Sequence, residues 1–150
     1  MVTIVVIAHR PLASALVEAA RHVYSRDPCV ASRQMVAMDV APDADIGSAV
    51  EQAGVLLHEI DRGQGVLVLT DLIGATPGNV ATQLAQPGRV AVVSGVNMPM
   101  LLRSLCYGDS ILEELVAKAT AGGVSGVQQL VSASANSGVF AAPVAAPAKR

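Results

Sequence analysis

Residues 2–7 (VTIVVI) and 66–69 (VLVL) are nearly continuous apolar, β-branched-rich runs. A strand with one wet face alternates apolar with polar side chains. A run without that alternation must be covered on both faces, as in a parallel sheet. Residues 34–40 and 90–94 read as two further strands. Helical spacing fills the gaps between them. Leu12, Leu16, Ala19, Ala20 and Val23 mark one helix, and Ile46, Ala49, Val50, Ala53, Leu57 and Ile60 a second with a glycine stop at Gly63. A third runs from Pro77 to about residue 86. Strand and helix thus alternate four times, which predicts a parallel sheet with helices on both faces.

Right-handed crossovers leave few ways to wind such a chain. The order expected for this size is flavodoxin-like, 2-1-3-4. It makes strands 1 and 3 neighbours and opens a crevice between their carboxyl ends. Strand 1 ends at His9 and strand 3 at Asp71, so the order alone sets an imidazole beside a carboxylate. A carboxylate on one ring nitrogen fixes the tautomer and leaves the other nitrogen as a nucleophile. After Asp71 comes a small-residue loop, Gly74-Ala75, and then Thr76-Pro77, which reads as a helix start with threonine as N-cap and proline in the first turn. The free N–H groups and dipole of such a start favour an anion. A short apolar helix begins near Pro99, another spans residues 111–120, and residues 126–131 read as a short terminal strand. This gives a domain of residues 1–131. Residues 132–150, mostly Ala, Ser, Pro and Val, read as a linker-like tail.

Composition narrows the chemistry. Hydrophobic residues make up 52% of the 150, yet Trp is absent and Phe occurs once, so the core is aliphatic and base-stacking platforms are missing. A net charge of −2 gives no basic surface for a phosphate backbone, which argues against nucleic-acid binding. No apolar run is long enough to cross a bilayer, and MVTIVVIAHR reads as a strand rather than a signal peptide. Cys29 and Cys106 stand in no metal or redox spacing, and a reducing cytoplasm is the expected setting. No metal or cofactor is expected. His22 follows Glu18 at helical spacing and His58 lies off the apolar face beside Glu59, so neither is assigned a role. A P-loop and a dinucleotide fingerprint are both absent. A receiver domain would need an acidic pair after strand 1 and a lysine after strand 4, where this chain has His9-Arg10 and Ser94-Gly95.

Together, VVIAH, LTDLIGATPGN and SGVNMPML resemble the enzyme IIA domain of the mannose-type sugar phosphotransferase system over residues 2–131. The resemblance implies a phosphocarrier without cofactor. His9 takes a phosphoryl group from the histidine-containing phosphocarrier protein and passes it to a histidine of a IIB domain. By the same resemblance Asp71 orients His9, Gly74, Ala75 and Thr76 hold the phosphoryl oxygens, and Asn97, Met98 and Pro99 form a wall of the site. It also implies a homodimer in which a terminal strand, here residues 126–131, crosses to the partner subunit. The IIB partner is expected on another chain, with at most a peripheral relation to the membrane transporter. One departure stands out: Arg10-Pro11 follows the histidine where the family usually has glycine. Two other readings stay open, a stand-alone regulatory phosphoprotein of that system and a small-molecule binding domain with His9 incidental.

Overall fold

The computed structural model describes residues 1–131. The linker-like tail expected over 132–150 lies outside the described residues. The elements, in chain order, are β1 (Thr3–His9), α1 (Leu12–Val23), α2 (Pro28–Ala31), β2 (Met35–Val40), α3 (Ile46–Ile60), β3 (Val66–Thr70), α4 (Thr76–Gln83), β4 (Val90–Ser94), α5 (Met98–Cys106) and α6 (Leu112–Ser125).

The four strands form one parallel sheet in the order β2-β1-β3-β4, as expected from the sequence. Central β1 pairs Ile4 with Met35 on one side and with Leu67 on the other. Alternate side chains go to opposite faces, and each face has its own core. Ile4, Val6 and Ala8 pack with Leu67 and Leu69 beneath α1, α5 and α6. Val5 and Ile7 pack with Val66 and Val68 beneath α3 and α4. This is why β1 and β3 read as continuous apolar runs: both faces are dry, and Val5, Ile7, Leu67 and Val68 are fully buried. The outer strand β4 is only half-buried along its length.

Three local expectations are corrected. The helix after the third strand begins with Thr76 already inside it, and its N-cap is Ala75, in extended conformation, with no side-chain cap bond. Threonine is one residue too late to cap. The last helix does not stop at residue 120 but runs through Gly122 and Gly123 to Ser125. Residues 126–131 form no strand within this chain. The glycines at this end of the chain are contact points. A Cβ on Gly122 would lie 2.7 Å from Arg103 Cβ, one on Gly123 2.6 Å from Met100 Cε, and one on Gly126 would clash with Pro99. Small residues at i, i+1 and i+4 let α6 press directly onto α5. The turn before the second strand also holds the single-turn helix α2, which the sequence reading passed over.

Candidate functional site

Parallel strands bring their carboxyl ends to one edge, and the loops that leave it build the site. His9 is the last residue of β1, and Asp71 follows directly after the end of β3. Asp71 Oδ2 accepts a hydrogen bond from the His9 backbone N–H at 3.1 Å and lies 2.6 Å from His9 Nδ1. Asp71 Oδ1 accepts from the Leu72 N–H at 2.9 Å. The carboxylate side chain is only 9% exposed, whereas the imidazole is 42% exposed. The acid is therefore held inside while one face of the ring meets solvent.

Burial alone would push the Asp71 carboxyl up. The bonds from the His9 ring, the His9 N–H and the Leu72 N–H outweigh it and hold the group below the ordinary carboxylate value. An ionised Asp71 on Nδ1 requires the ring proton to sit there. In the neutral ring the lone pair is then on Nε2, the nitrogen free to react.

The loop that follows folds back against its own helix. Gly74 has a φ of 79°, which L side chains rarely adopt. Asn79 Nδ2 donates to the Gly74 carbonyl at 3.3 Å, and the Asn79 N–H donates to the Ala75 carbonyl at 2.9 Å. Gly78 lies so close beneath the Leu72 carbonyl that any Cβ there would collide with it. Thr82 Oγ1 bonds the Gly78 carbonyl at 2.8 Å. Gly74 and Ala75 thus form the lead-in to α4 and Thr76 its first residue, where first-turn N–H groups have no intrahelical acceptor and Pro77 has no N–H to offer. Gly78 and Asn79 were read only as part of a motif string. Their service to the loop shows in the structure, although a glycine two residues after a helix-starting threonine was a usable signal.

The third expected segment reaches the same edge through backbone bonds. The Gly95 N–H donates to the Asp71 carbonyl at 3.1 Å and the Val96 N–H to the Thr70 carbonyl at 3.0 Å. Asn97 caps α5: its Oδ1 accepts from the Met100 N–H at 2.9 Å, and its Nδ2 donates to the Gly123 carbonyl at 3.0 Å. Met98 packs on the core and Pro99 rests against Gly126. The direct union is His9 with Asp71. Gly95 and Val96, just before Asn97, are tied to the end of β3 by their backbone N–H groups, and the Asn97 side chain is engaged in holding α5 to α6.

Arg10 continues the ladder, its N–H donating to the Val40 carbonyl at 3.0 Å. Arg10 also lines a cavity of about 240 Å³ with Asp39, Asp45 and Ser48, toward the β2 side of the edge. His22 and His58 are exposed on their helices. Leu72 and Ile73, at the tip of the loop beyond Asp71, are 58% and 91% exposed. Among the described residues no group of three or more His, Cys, Asp or Glu side chains is placed to hold a metal ion, and no helix is long and apolar enough to cross a membrane.

Comparison with known proteins gives the family and the fold. Residues 3–120 match the family model described as the phosphotransferase system (PTS) fructose IIA component. The mannose-specific EIIAB component of Escherichia coli K12 is 34% identical over 117 residues, 73% of this chain and 36% of that protein. The chain therefore spans about a third of the length of that relative. The fructose-specific EIIA component of Bacillus subtilis 168 is 27% identical over 119 residues, 79% of this chain and 75% of that one. Among solved structures, the mannose/sorbose-specific IIA subunit from Enterococcus faecalis superposes with a TM-score of 0.73 at 23% identity, covering 87% of this chain and 95% of that chain. At that identity the likeness speaks for the fold alone.

Proposed function

The chain belongs to the PTS fructose IIA component family, and from that premise we propose that it is a phosphocarrier with His9 as the covalent relay. The observation that carries this reading is the 2.6 Å contact from a buried, ionised Asp71 to Nδ1 of a half-exposed ring. Nε2 attacks the phosphorus of a phosphohistidine on the histidine-containing phosphocarrier protein. The new Nε2–P bond forms as the donor N–P bond breaks, and the departing imidazole keeps the electron pair. The Nδ1 proton stays in place, and Asp71 offsets the positive charge that spreads over the ring. The same exchange, with His9 now the leaving imidazole, passes the group to a histidine of a IIB domain on another chain and so toward sugar uptake. Such a transfer needs positioning and charge neutralisation more than covalent help. The N–H groups around Gly74, Ala75 and Thr76 supply the neutralisation, and the Asn97–Met98–Pro99 turn closes the site. Exposed Leu72 and Ile73 give both partner proteins an apolar foothold beside the ring. Two partners that use one face in turn need small interfaces.

On the same reading residues 1–131 are the phosphocarrier domain and residues 132–150 a dispensable tail, in a protein of the cytoplasm. Two copies associate. The outer edge of β4, bridged at Val90 by Gln86, and the exposed Val124, Val127, Leu130 and Val131 support pairing of residues 126–131 with a second subunit.

The test is labelling by the phosphoenolpyruvate-driven donor system. Acid-labile phosphate approaching one per chain is expected, and it should persist, with an unchanged Tm, in a chain cut at Ser132. A full-length chain that takes no label refutes the relay. A Tm lowered by many degrees on truncation refutes the domain boundary.

A further inference from the structure

The edge that holds His9 is acidic. Four loops leave the carboxyl ends of the strands, at residues 10–11, 41–45, 71–75 and 95–97. They carry Asp43, Asp45 and Asp71, and Asp39 is the second-last residue of β2. Arg10 is the one arginine or lysine in those loops. A phosphoryl group brings a charge of about −1.5 to −2 at neutral pH. The N–H groups at the start of α4 answer it with partial charges. The full positive charge available at this edge is Arg10.

Its guanidinium is uncommitted. Arg10 is exposed, and its backbone is held by the bond from its N–H to the Val40 carbonyl. Among the described residues no hydrogen bond or ion pair engages the guanidinium. By contrast, Arg21, Arg33, Arg62 and Arg89 donate to the Met35 carbonyl, Asp109, Gln34 and Asp61. The two carboxylates that line a cavity with Arg10 serve helix starts instead. Both oxygens of Asp39 accept from Ser14, one from its N–H and one from its hydroxyl, and Asp45 Oδ2 accepts from the Ser48 N–H at 2.8 Å. An unpaired cation thus stands one residue from an imidazole that is 42% exposed.

Resting on the relay reading of His9, we propose that Arg10 is a phosphoryl-binding residue: once His9 carries the group, the guanidinium turns to it and donates two N–H bonds to its oxygens. The planar fork of N–H donors matches the spacing of phosphoryl oxygens, which an ammonium does not. Because the guanidinium is unpaired before transfer, the contact stabilises the phosphorylated form alone. It therefore draws the exchange with the donor toward this chain. Hydrogen bonds of this charged kind shift such an equilibrium by about 10- to 100-fold.

The test equilibrates the full-length chain, and its Arg10→Ala and Arg10→Lys variants, with the phosphorylated histidine-containing phosphocarrier protein. The ratio of label on the two proteins gives the equilibrium constant, initial rates give KM for the donor, and Tm is measured alongside. Arg10→Ala should move the equilibrium toward the donor by about 10- to 100-fold at an unchanged Tm. Arg10→Lys should fall between the two, since it keeps the charge and loses the fork. If Arg10→Ala fails to fold, a severalfold shift in Arg10→Lys carries the same expectation. The equilibrium constant between the separated proteins is blind to how well they dock. A change in KM alone would therefore make Arg10 a contact of the donor protein and overturn the proposal. A labelled parent with an unmoved equilibrium in Arg10→Ala would remove the contact and leave the relay standing. A parent that takes no label would remove the relay and the contact together.

Discussion

Strand β3 is bracketed by two aspartates that use the same device for different ends. Asp61, just before it, accepts from the Gly63 N–H at 2.8 Å with one oxygen and pairs with Arg89 at 2.5 Å with the other. Asp71, just after it, accepts from the Leu72 N–H with one oxygen and meets His9 with the other. Both carboxylates are about nine-tenths buried, and both partners are much more exposed. Both carboxyls are held below their ordinary value. At Asp61 the Arg89 guanidinium is the main cause, with the Gly63 N–H next, while at Asp71 hydrogen bonds overcome a burial penalty. What separates the two ends is the partner. A guanidinium has five donors and no lone pair to give. An imidazole that donates from one nitrogen keeps a lone pair on the other. The amino end of the strand is therefore a staple, and the carboxyl end is a staple whose far side can react.

The sharpest break in this comparison is removal of the reactive partner. His9→Gln should abolish acid-labile labelling, while Arg89→Gln, His22→Gln and His58→Gln label as the parent does. Label retained in the His9 variant would move the chemistry elsewhere. Next comes the carboxylate. Asp71→Asn should slow labelling of His9 by about 10²–10⁴-fold, because an amide fixes the tautomer poorly and stabilises no positive charge. It should also cost about 1–3 kcal/mol of stability, since one amide cannot serve all three donors. Asp61→Asn should leave the rate within twofold. Equal rates in the Asp71 variant, measured in quench time courses alongside denaturant midpoints, would reduce Asp71 to a second staple.

Acid sharpens the likeness rather than the difference. A carboxyl whose folded pKa is depressed adds stability that is fully present above its unfolded value, about 3.9. That stability is lost as pH falls through the lower folded value. Both Asp61→Asn and Asp71→Asn should therefore flatten the fall in Tm below about pH 4. A parent-like acid limb in either variant would mean that its carboxyl is not held ionised. The smallest effect belongs to the outer half of the staple. Arg89 is 67% exposed, and Arg89→Ala should change the unfolding free energy by under about 1 kcal/mol, with a salt dependence to match.

The meeting of His9 with Asp71 was legible because a parallel sheet in the order 2-1-3-4 makes strand 3 one of the two neighbours of strand 1 and brings their carboxyl ends together. Continuous apolar runs announced that sheet. The oxygen-by-oxygen division of labour at Asp71 was not legible, because spacing tells which residues approach and not which atoms bond. The cap of α4 was misread by one position, a difference set by the extended backbone at Ala75. Asn97 was expected at the site as a wall. Its cap bond and its grip on the Gly123 carbonyl depend on the depth to which α6 settles on α5. The expected last helix ended at residue 120, short of Gly122 and Gly123, and glycine is a poor helix former in isolation. Here close packing against Met100 and Arg103 overrides that preference.

His9 and Asp71 stand 62 residues apart in sequence, and their strands touch directly. A ribosome adds roughly 5–20 residues per second, so the histidine is made about 3–12 s before its carboxylate. During that interval β1 lacks the neighbour that covers one of its edges, and the imidazole lacks the group that sets its proton. On the proposed relay, the nascent chain carries the nucleophilic residue without a working site, and activity arrives in the same event that closes the centre of the sheet. On that proposal the protein is switched on by completing its fold, and any lesion that keeps β3 from docking on β1 silences it however intact His9 remains.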